Sequence, residues 1–136
     1  EDIETLVAYD LEAAIYSLEQ LNCYKDYLIE SDKAYLNIHL NINTGLNRLG
    51  IRKEDVPKVI AQLQNQNKLR LTWLMSHLAA SDDLIQLSFS EDQALEFEKV
   101  CHSIETELNQ TFKKHLLNSS GIFSLAHKQF DNYNYV

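Results

Sequence analysis

The side chains best suited to chemistry are basic and amide residues concentrated between residues 44 and 70. Amide side chains form paired hydrogen bonds with adenine and lysine reaches guanine, so Lys58, Gln62 and Asn65 could read bases in a major groove. Neighbouring cations would contact phosphates, which adds affinity without reading sequence; these are Arg48, Arg52, Lys53, Lys68 and Arg70. The plain alternative is a solvated polar helix face.

Charge is distributed unevenly along the chain. The stretch 44–70 holds six basic residues against Glu54 and Asp55, a net charge of +4, whereas the whole chain of 136 residues carries −8. Everything outside the stretch therefore carries −12. A basic surface on an acidic body is typical of nucleic-acid binding. We therefore expect double-stranded DNA as a partner.

A helix-turn-helix would present these side chains. Apolar residues recur at helical spacing across residues 56–63, which predicts an amphipathic helix. Pro57 falls in the first turn of this helix, where its missing N–H does least harm. A preceding short helix capped by Thr44, followed by a turn at Gly50, completes the unit.

The part of the chain before this unit is predicted to be helical. Residues 3–29 keep apolar spacings of three and four with no Gly or Pro, which predicts one long helix. Residues 36–42 alternate apolar and polar side chains as a strand does. Ser31, however, precedes this segment as a helix N-cap would. We favour a short helix to about residue 40, with the strand as the alternative.

The part after the unit is predicted to form a wing and a second long helix. Alternating apolar residues predict strands near 69–75 and 84–89, joined by residues 76–83. A capping-box pattern, Ser90 with Gln93, begins a helix that should end by residue 118.

This order of elements resembles the MarR family of bacterial transcription regulators. The resemblance rests on residues 44–51, 56–63 and 82–90 and covers most of residues 1–118. It implies a mainly α fold with a small β-wing, a winged helix-turn-helix flanked by long terminal helices. It also implies a homodimer that places one recognition helix in each of two major grooves. Residues 1–118 would form one domain, and the aromatic tail 119–136 carries Phe123, Phe130, Tyr133 and Tyr135.

The composition of the wing favours a second function. Residues 71–83 contain no Lys or Arg, although wings of the family are typically basic. An apolar wing could be packed inside or bind a protein partner. The alternative is thus an acidic winged-helix or helical-bundle module for protein–protein interaction; the wing's apolar side chains are Trp73, Leu74, Met75 and Leu78.

Catalytic signatures are missing from the sequence. We find no Gly-rich phosphate loop, nucleophile elbow or paired-carboxylate pattern, so we expect neither an enzyme nor a cofactor or metal. Arg70 and His77 suggest a helical R-x-H ribonuclease, but a strand across Arg70 would exclude that motif. No apolar run approaches the ~20 residues of a membrane span, and two cysteines are too few for a disulfide scaffold. We therefore expect a cytoplasmic protein with no membrane contact.

Overall fold

The computed structural model describes residues 2–31 and 35–125, which build an all-parallel four-stranded sheet with the strand order β1-β2-β3-β4. The strands are β1 (Ala13–Ile15), β2 (Leu36–Asn41), β3 (Leu69–Met75) and β4 (Lys113–His115). The α-helices of this part are α1 (Asp2–Ala8), α2 (Leu18–Glu30), α3 (Val56–Gln64), α4 (Leu87–Leu108) and α5 (Ser119–Leu125). Parallel neighbours need a crossover between them. Helices α2, α3 and α4 provide the three crossovers.

One face of the sheet is packed under the helices and forms the core. On β2 the side chains of Leu36, Ile38 and Leu40 are buried, and the residues between them are only half-buried. Helix α4 covers this face with Phe97 and Ile104, both fully buried. Each such side chain contributes roughly 1.5–3 kcal/mol when it leaves water. The opposite face of the sheet stays partly open in the described part of the chain.

The single long helix predicted over residues 3–29 is wrong. The structure has α1, then β1, then α2 in this interval. Asp10 takes a left-handed backbone conformation (φ 51°), which ends the first helical segment. Ser17 has extended backbone and its Oγ accepts a hydrogen bond from the Gln20 amide at 3.1 Å, so a new helix begins there.

The short helix that we favoured before residue 40 is also wrong, because this segment is the strand β2. The alternation of apolar and polar residues was the correct signal. Ser31 misled the prediction, since it ends α2 instead of beginning a helix. Its Oγ donates a hydrogen bond to the Leu28 carbonyl oxygen at 3.2 Å.

Only the second helix of the predicted helix-turn-helix forms. Residues 44–50 form a loop and not a helix, because Gly45 (φ 137°), Asn47 (φ 56°) and Gly50 (φ 118°) all have backbone angles that a right-handed helix excludes. Helix α3 is confirmed, with Val56, Val59, Ile60 and Leu63 buried and a proline in its first turn. It packs on the sheet as a crossover helix, not as the second helix of a DNA-binding unit.

The predicted wing does not form. Residues 69–75 are a strand as predicted, but β3 pairs in parallel with β2 and β4 inside the sheet. The second predicted strand, residues 84–89, is instead a 3₁₀ turn leading into α4. The Asp83 carboxylate caps this turn by accepting a hydrogen bond from the Ile85 amide at 2.9 Å. Ser90 lies buried inside α4, so the predicted capping box is wrong.

The final helix is shorter than predicted. Asn109 has a left-handed conformation (φ 50°) and ends α4 ten residues before the predicted end. The chain then forms β4, the fourth strand of the sheet. The prediction missed β4 because its three residues, Lys-Lys-His, carry no apolar alternation.

The surfaces expected to bind partners are mostly internal. Leu74 and Leu78, assigned to the apolar wing, are buried in the core of this chain. The apolar stripe of α4 also packs on this chain's own sheet, and residues 2–31 form no single long helix that could intertwine with it. The homodimer based on two long terminal helices therefore loses its structural basis. The tail residues Phe130, Tyr133 and Tyr135 lie outside the described residues.

None of the helices in residues 2–31 and 35–125 combines the length and the apolarity that a membrane crossing requires.

A buried ion pair fastens β4 to α4. The Lys114 ammonium lies 3.0 Å from a Glu105 carboxylate oxygen and 3.8 Å from Glu98. Burial alone would lower the pKa of Lys114, but the hydrogen bond to Glu105 and the surrounding charges outweigh it and raise the pKa. Glu105 also accepts a hydrogen bond from the Phe112 amide at 3.2 Å. One carboxylate thus holds the start of β4 at two points.

We predict that Glu105→Ala lowers the free energy of unfolding by about 2–4 kcal/mol, because it leaves the buried Lys114 charge without its nearest partner. Urea denaturation would measure the loss. Glu107→Ala is the control: this carboxylate is exposed on the same helix, and its loss should change stability by less than about 0.5 kcal/mol. Equal effects of the two substitutions would show that the pair does not fasten β4.

Candidate functional site

The carboxyl ends of the four strands meet at one edge of the sheet, which we call the carboxyl edge. Proteins with parallel sheets and crossover helices bind ligands at this edge, because the loops that follow the strands converge there. In this chain the loop after β2 covers residues 42–52, and the loop after β3 covers residues 76–83. Both loops are rich in side chains that donate or accept hydrogen bonds.

The loop after β2 is shaped by Asn43. Its side-chain oxygen accepts hydrogen bonds from the amides of Gly45 and Asn47, each at 3.1 Å. Its amide nitrogen donates to the Asn47 side-chain oxygen at 3.0 Å. A short polar side chain that satisfies its own loop in this way tolerates the left-handed conformation of Asn47. Arg48 follows directly and is exposed at the tip of the loop.

A backbone bridge returns the same loop to the sheet. The Ile51 amide donates to the Asn41 carbonyl oxygen at 2.7 Å, and the Asn43 amide donates to the Ile51 carbonyl oxygen at 2.9 Å. Gly50 precedes the bridge with a φ of 118°, and a Cβ placed there would lie 2.7 Å from the Asn43 backbone nitrogen. The loop can close this tightly only because residue 50 has no side chain.

Two hydroxyl groups join the loop after β2 to the loop after β3. The Thr44 and Ser76 hydroxyl oxygens lie 2.8 Å apart, and Ser76 donates to the Ile42 carbonyl oxygen at 2.7 Å. Ser76 is buried, whereas the next residue, His77, exposes its imidazole at the carboxyl edge. The two loops therefore present Arg48 and His77 from a shared, hydrogen-bonded base.

Gln93 from α4 lies beneath both loops. Its side-chain oxygen accepts a hydrogen bond from the Ala79 amide at 2.9 Å. Its side-chain nitrogen donates to the His77 carbonyl oxygen at 3.2 Å and to the Thr44 hydroxyl at 3.4 Å. The side chain is almost fully buried, with 1% exposed.

A small cavity opens between the two loops. Its volume of about 40 Å³ is comparable to the space of a single water molecule. The described residues therefore form one wall of a binding site and not an enclosed pocket. The polar residues of this wall are Asn41, Asn43, Thr44, Arg48, Ser76 and His77. They combine a cation, an imidazole, hydroxyls and amides, which suits an anionic ligand and the transfer of a proton.

The loop after β4 adjoins the same edge. The Asn118 side-chain oxygen accepts hydrogen bonds from the Ser81 hydroxyl at 2.7 Å and from the Gly121 amide at 2.9 Å. The Ser76 amide donates to the His115 carbonyl oxygen at 3.2 Å. Three consecutive loops are thus fixed to each other by side-chain and backbone hydrogen bonds.

A separate group of titratable residues lies on the open face of the sheet. His39 is paired with Glu12, whose carboxylate also accepts a hydrogen bond from Thr72 at 3.1 Å. The hydrogen bond from His39 lowers the pKa of Glu12. His39 also lies beside Trp73 and His115, with ring centroids 5.5 and 6.1 Å away. Burial, followed by the charge of His39, lowers the pKa of His115. These contacts connect all four strands across the sheet.

The eight residues predicted to bind DNA do not form one surface. Arg48, Arg52 and Lys53 lie near the carboxyl edge, and Lys53 is 3.7 Å from Glu96. Arg70 lies at the amino end of β3, with its guanidinium 3.6 Å from the centre of the Tyr35 ring. The strand across Arg70 separates it from His77, which excludes the R-x-H motif.

The remaining predicted residues are engaged locally. Lys58 pairs with Asp55 at 2.7 Å, and the Asn65 side chain donates to the Ala61 carbonyl oxygen at 2.7 Å. Lys68 donates to the Ser31 carbonyl oxygen at 3.3 Å. Gln62 is partly buried, with a side-chain oxygen that has no hydrogen-bond partner.

A larger cleft, about 590 Å³, lies at the opposite end of the sheet. It is lined by Arg70 together with residues that begin β2 and β3 and end α3 and α4. In folds of this kind residues at the amino ends of the strands serve stability, whereas binding occurs at the carboxyl ends. We therefore place the candidate site at the carboxyl edge, despite the smaller cavity there.

Comparison with known proteins decides the family. All of residues 1–136 match the family model described as alanine racemase, N-terminal domain. The chain belongs to this family. It is 32% identical over 120 residues to an alanine racemase of Synechocystis, covering 88% of this chain and 32% of that protein. It is 34% identical over 114 residues to an alanine racemase of Fusobacterium nucleatum, covering 82% of this chain and 29% of that protein.

Solved structures agree on the fold. An alanine racemase from D-cycloserine-producing Streptomyces lavendulae superposes with a TM-score of 0.85 at 19% identity, covering 98% of this chain and 35% of that one. One from Bartonella henselae, solved with covalently bound pyridoxal phosphate, gives a TM-score of 0.76 at 23% identity, with 98% and 35% covered. The chain spans about a third of the length of the relatives that it matches.

The family corrects five expectations from the sequence. The chain is not a MarR-like winged helix, its fold is α/β and not mainly α, and its relatives are enzymes. DNA binding and the alternative interaction module both lose their basis with the winged helix.

Sequence reasoning missed the site because it assigned structural roles to the site's residues. Thr44 and Gln93 were interpreted as helix caps, and His77 was considered as part of an R-x-H motif. The sequence does contain a signal for the site, namely the position of its polar residues. Residues 41–44 and residues 76–77 each come at the end of a segment in which apolar side chains alternate. That position is where the strands of a parallel sheet deliver functional side chains.

We predict that Gly50→Ala destabilises the protein by about 2 kcal/mol or more, because the new methyl group would meet backbone at 2.7 Å and force a strained φ. Thermal unfolding would measure the loss. Gly45→Ala is the comparison, since φ there is also positive but the methyl group would meet side chains instead of backbone, the Phe89 ring at 3.1 Å and Gln93 at 3.5 Å. A smaller loss at residue 50 than at residue 45 would contradict the tight closure of the loop.

Proposed function

We propose that the protein carrying this chain racemises alanine, and that the chain contributes part of a parallel barrel and one wall of the active site. Membership of the alanine racemase N-terminal domain family supports the reaction. The single structural observation that carries the proposal is the carboxyl edge, where Arg48 and His77 come from adjacent loops to line one small cavity. Racemisation removes the α-proton from one face of an amino acid and returns it to the other, so it needs positioned groups that exchange protons.

Pyridoxal phosphate is the cofactor that this proposal implies, since the Bartonella henselae relative holds it covalently. When bound, it supplies an electron sink that stabilises negative charge at the α-carbon of an amino acid. The side chains of the wall fit this cofactor, because they include the Arg48 cation and several hydrogen-bond donors that can bind an anionic group. Among the described residues, however, no lysine lines the cavity of Arg48 and His77. The wall therefore binds and orients the cofactor, and the amine for covalent attachment comes from another part of the protein.

Each residue of the wall has a role that follows from its chemistry. Arg48 is exposed and has a planar guanidinium that binds a carboxylate or phosphate through two parallel hydrogen bonds. His77 exposes an imidazole, a group that can both accept and donate a proton. Asn41 projects from the end of β2 beside them, and its carboxamide both donates and accepts hydrogen bonds. Together they bind the anionic part of a ligand and orient it toward the imidazole.

A cytoplasmic location, expected from the sequence, is kept as part of the proposal. The two cysteines support it, since Cys23 is exposed, Cys101 is buried, and neither is in a disulfide. Unpaired thiols persist in reducing compartments.

The test is an alanine racemisation assay on the purified protein that carries this chain, supplied with pyridoxal phosphate. Conversion of L-alanine to D-alanine would be followed by circular dichroism. We predict that Arg48→Ala lowers kcat/KM by about 10- to 100-fold, because one charged hydrogen-bond donor to the bound anion is lost.

Arg52→Ala is the matched control. It removes the same charge four residues away, from an exposed side chain that does not line the cavity of His77, and should change kcat/KM less than twofold. A cofactor-loaded protein that racemises no amino acid would refute the proposed function. Equal losses in the two variants would refute the role of Arg48.

A further inference from the structure

We propose that Gln93 is a positioning residue that sets the distance and orientation between Arg48 and His77. The inference rests on the proposed function for its effect on catalysis, but its structural part can be tested without activity. Gln93 does not line the cavity. It contacts two residues that do, at the Thr44 hydroxyl and the His77 backbone carbonyl oxygen, but neither the Arg48 guanidinium nor the His77 imidazole. It acts through the loops that carry those groups.

Its location makes Gln93 a fixed reference point. It belongs to α4, the longest helix of the described chain, and its neighbour Ala94 is buried beside it. Phe97, one turn further along, is also fully buried. A side chain on such a tightly packed helix moves little relative to the sheet. It therefore fixes the position of the loops to which it is hydrogen-bonded.

The side-chain hydrogen bonds of Gln93 go to both loops and not to its own helix. Its oxygen accepts from the Ala79 amide, and its nitrogen donates to the His77 carbonyl oxygen and to Thr44. From Thr44 the chain of bonds continues through Ser76 to the Ile42 carbonyl oxygen. The segments that carry Arg48 and His77 are therefore connected through one buried carboxamide.

A carboxamide fits this position because it carries an acceptor and two donor hydrogens on one planar group. A carboxylate would meet the His77 carbonyl oxygen with a second acceptor, and lysine would leave the Ala79 amide without an acceptor. An apolar side chain of similar size would leave both groups buried without partners. Each buried group left unpaired costs more than its hydrogen bond contributes, so the loops would move to regain partners or water.

Such a movement would reach the reacting groups. Groups in an active site must hold their geometry closely, and a displacement of about 1 Å can lower a rate by roughly 10²-fold. His77 is displaced most directly, because its own carbonyl oxygen is one of the Gln93 contacts. Arg48 follows through Thr44, four residues before it in the same loop.

The test uses Gln93→Met in the full protein, a substitution that keeps the length of the side chain and removes its polar atoms. Amide hydrogen exchange at Ala79, whose amide donates to Gln93, should become at least about tenfold faster, the effect of losing roughly one hydrogen bond. In the cofactor-loaded enzyme kcat/KM should fall about 10- to 100-fold. KM for alanine should also rise, because a displaced Arg48 binds the ligand less well, whereas an enzyme that is merely less stable loses kcat with KM unchanged.

Two further variants separate the outcomes. Gln110→Met makes the same change at an exposed residue after α4, and both exchange and activity should stay within twofold of the parent. Gln93→Glu should protect the Ala79 amide from exchange better than Gln93→Met does at low pH. A neutral carboxyl group has one donor and one acceptor, and burial favours this neutral form.

Unchanged exchange at Ala79 in a folded Gln93→Met protein would overturn the inference, as would unchanged kcat/KM and KM in an active enzyme. Faster exchange in a protein that never racemises alanine would support the connection between the loops and refute only the proposed function.

Discussion

The parallel pairing of β2 with β3 is the constraint on which the rest of the structure depends. Leu36 pairs with Leu69 at one end and Asn41 with Met75 at the other, so both strands run the same way. A parallel pair cannot be joined by a tight turn, and the chain must cross back over the sheet between them. Helix α3 makes this crossover. Its apolar stripe is therefore buried in the core, as a helix that packs on the sheet requires. The same constraint brings the ends of both strands to one edge, where Arg48 and His77 meet.

The site depends on small polar side chains that satisfy one another before any ligand arrives. Asn43 fixes the loop after β2, Ser76 fixes the start of the loop after β3, and Gln93 connects the two. With these groups engaged, Arg48 and His77 stay exposed and free to bind. The cost of arranging Arg48 and His77 is thus met on folding, which is what the active site that we propose would require. The open face of the sheet and the one-sided cavity agree with a chain that spans about a third of its relatives' length.

The sequence predicted the local structure where one signal dominated. Helix α3 was predicted correctly because four apolar residues repeat at helical spacing, and β3 because Leu69, Leu71 and Trp73 alternate. Failures came where two signals competed. Ser31 resembles a helix start although it ends α2, and residues 44–50 resemble a short helix although Gly45, Asn47 and Gly50 need positive φ. The strands β1 and β4 have three residues each, too few to show a period. The site was missed for a further reason, since Thr44, His77 and Gln93 are brought together only by the order of the strands.

The measurement that tests the central claim most directly is amide hydrogen exchange of the protein that carries this chain, with and without pyridoxal phosphate. If the carboxyl edge is the binding site, the cofactor should slow exchange in residues 43–48 and 77–80. Exchange at the opposite end of the sheet, in residues 64–72, should stay unchanged. Slower exchange confined to residues 64–72 would contradict the claim, because the ligand would then occupy the larger cleft at the amino end. Saturating cofactor that slowed no amide in either region would contradict it as well.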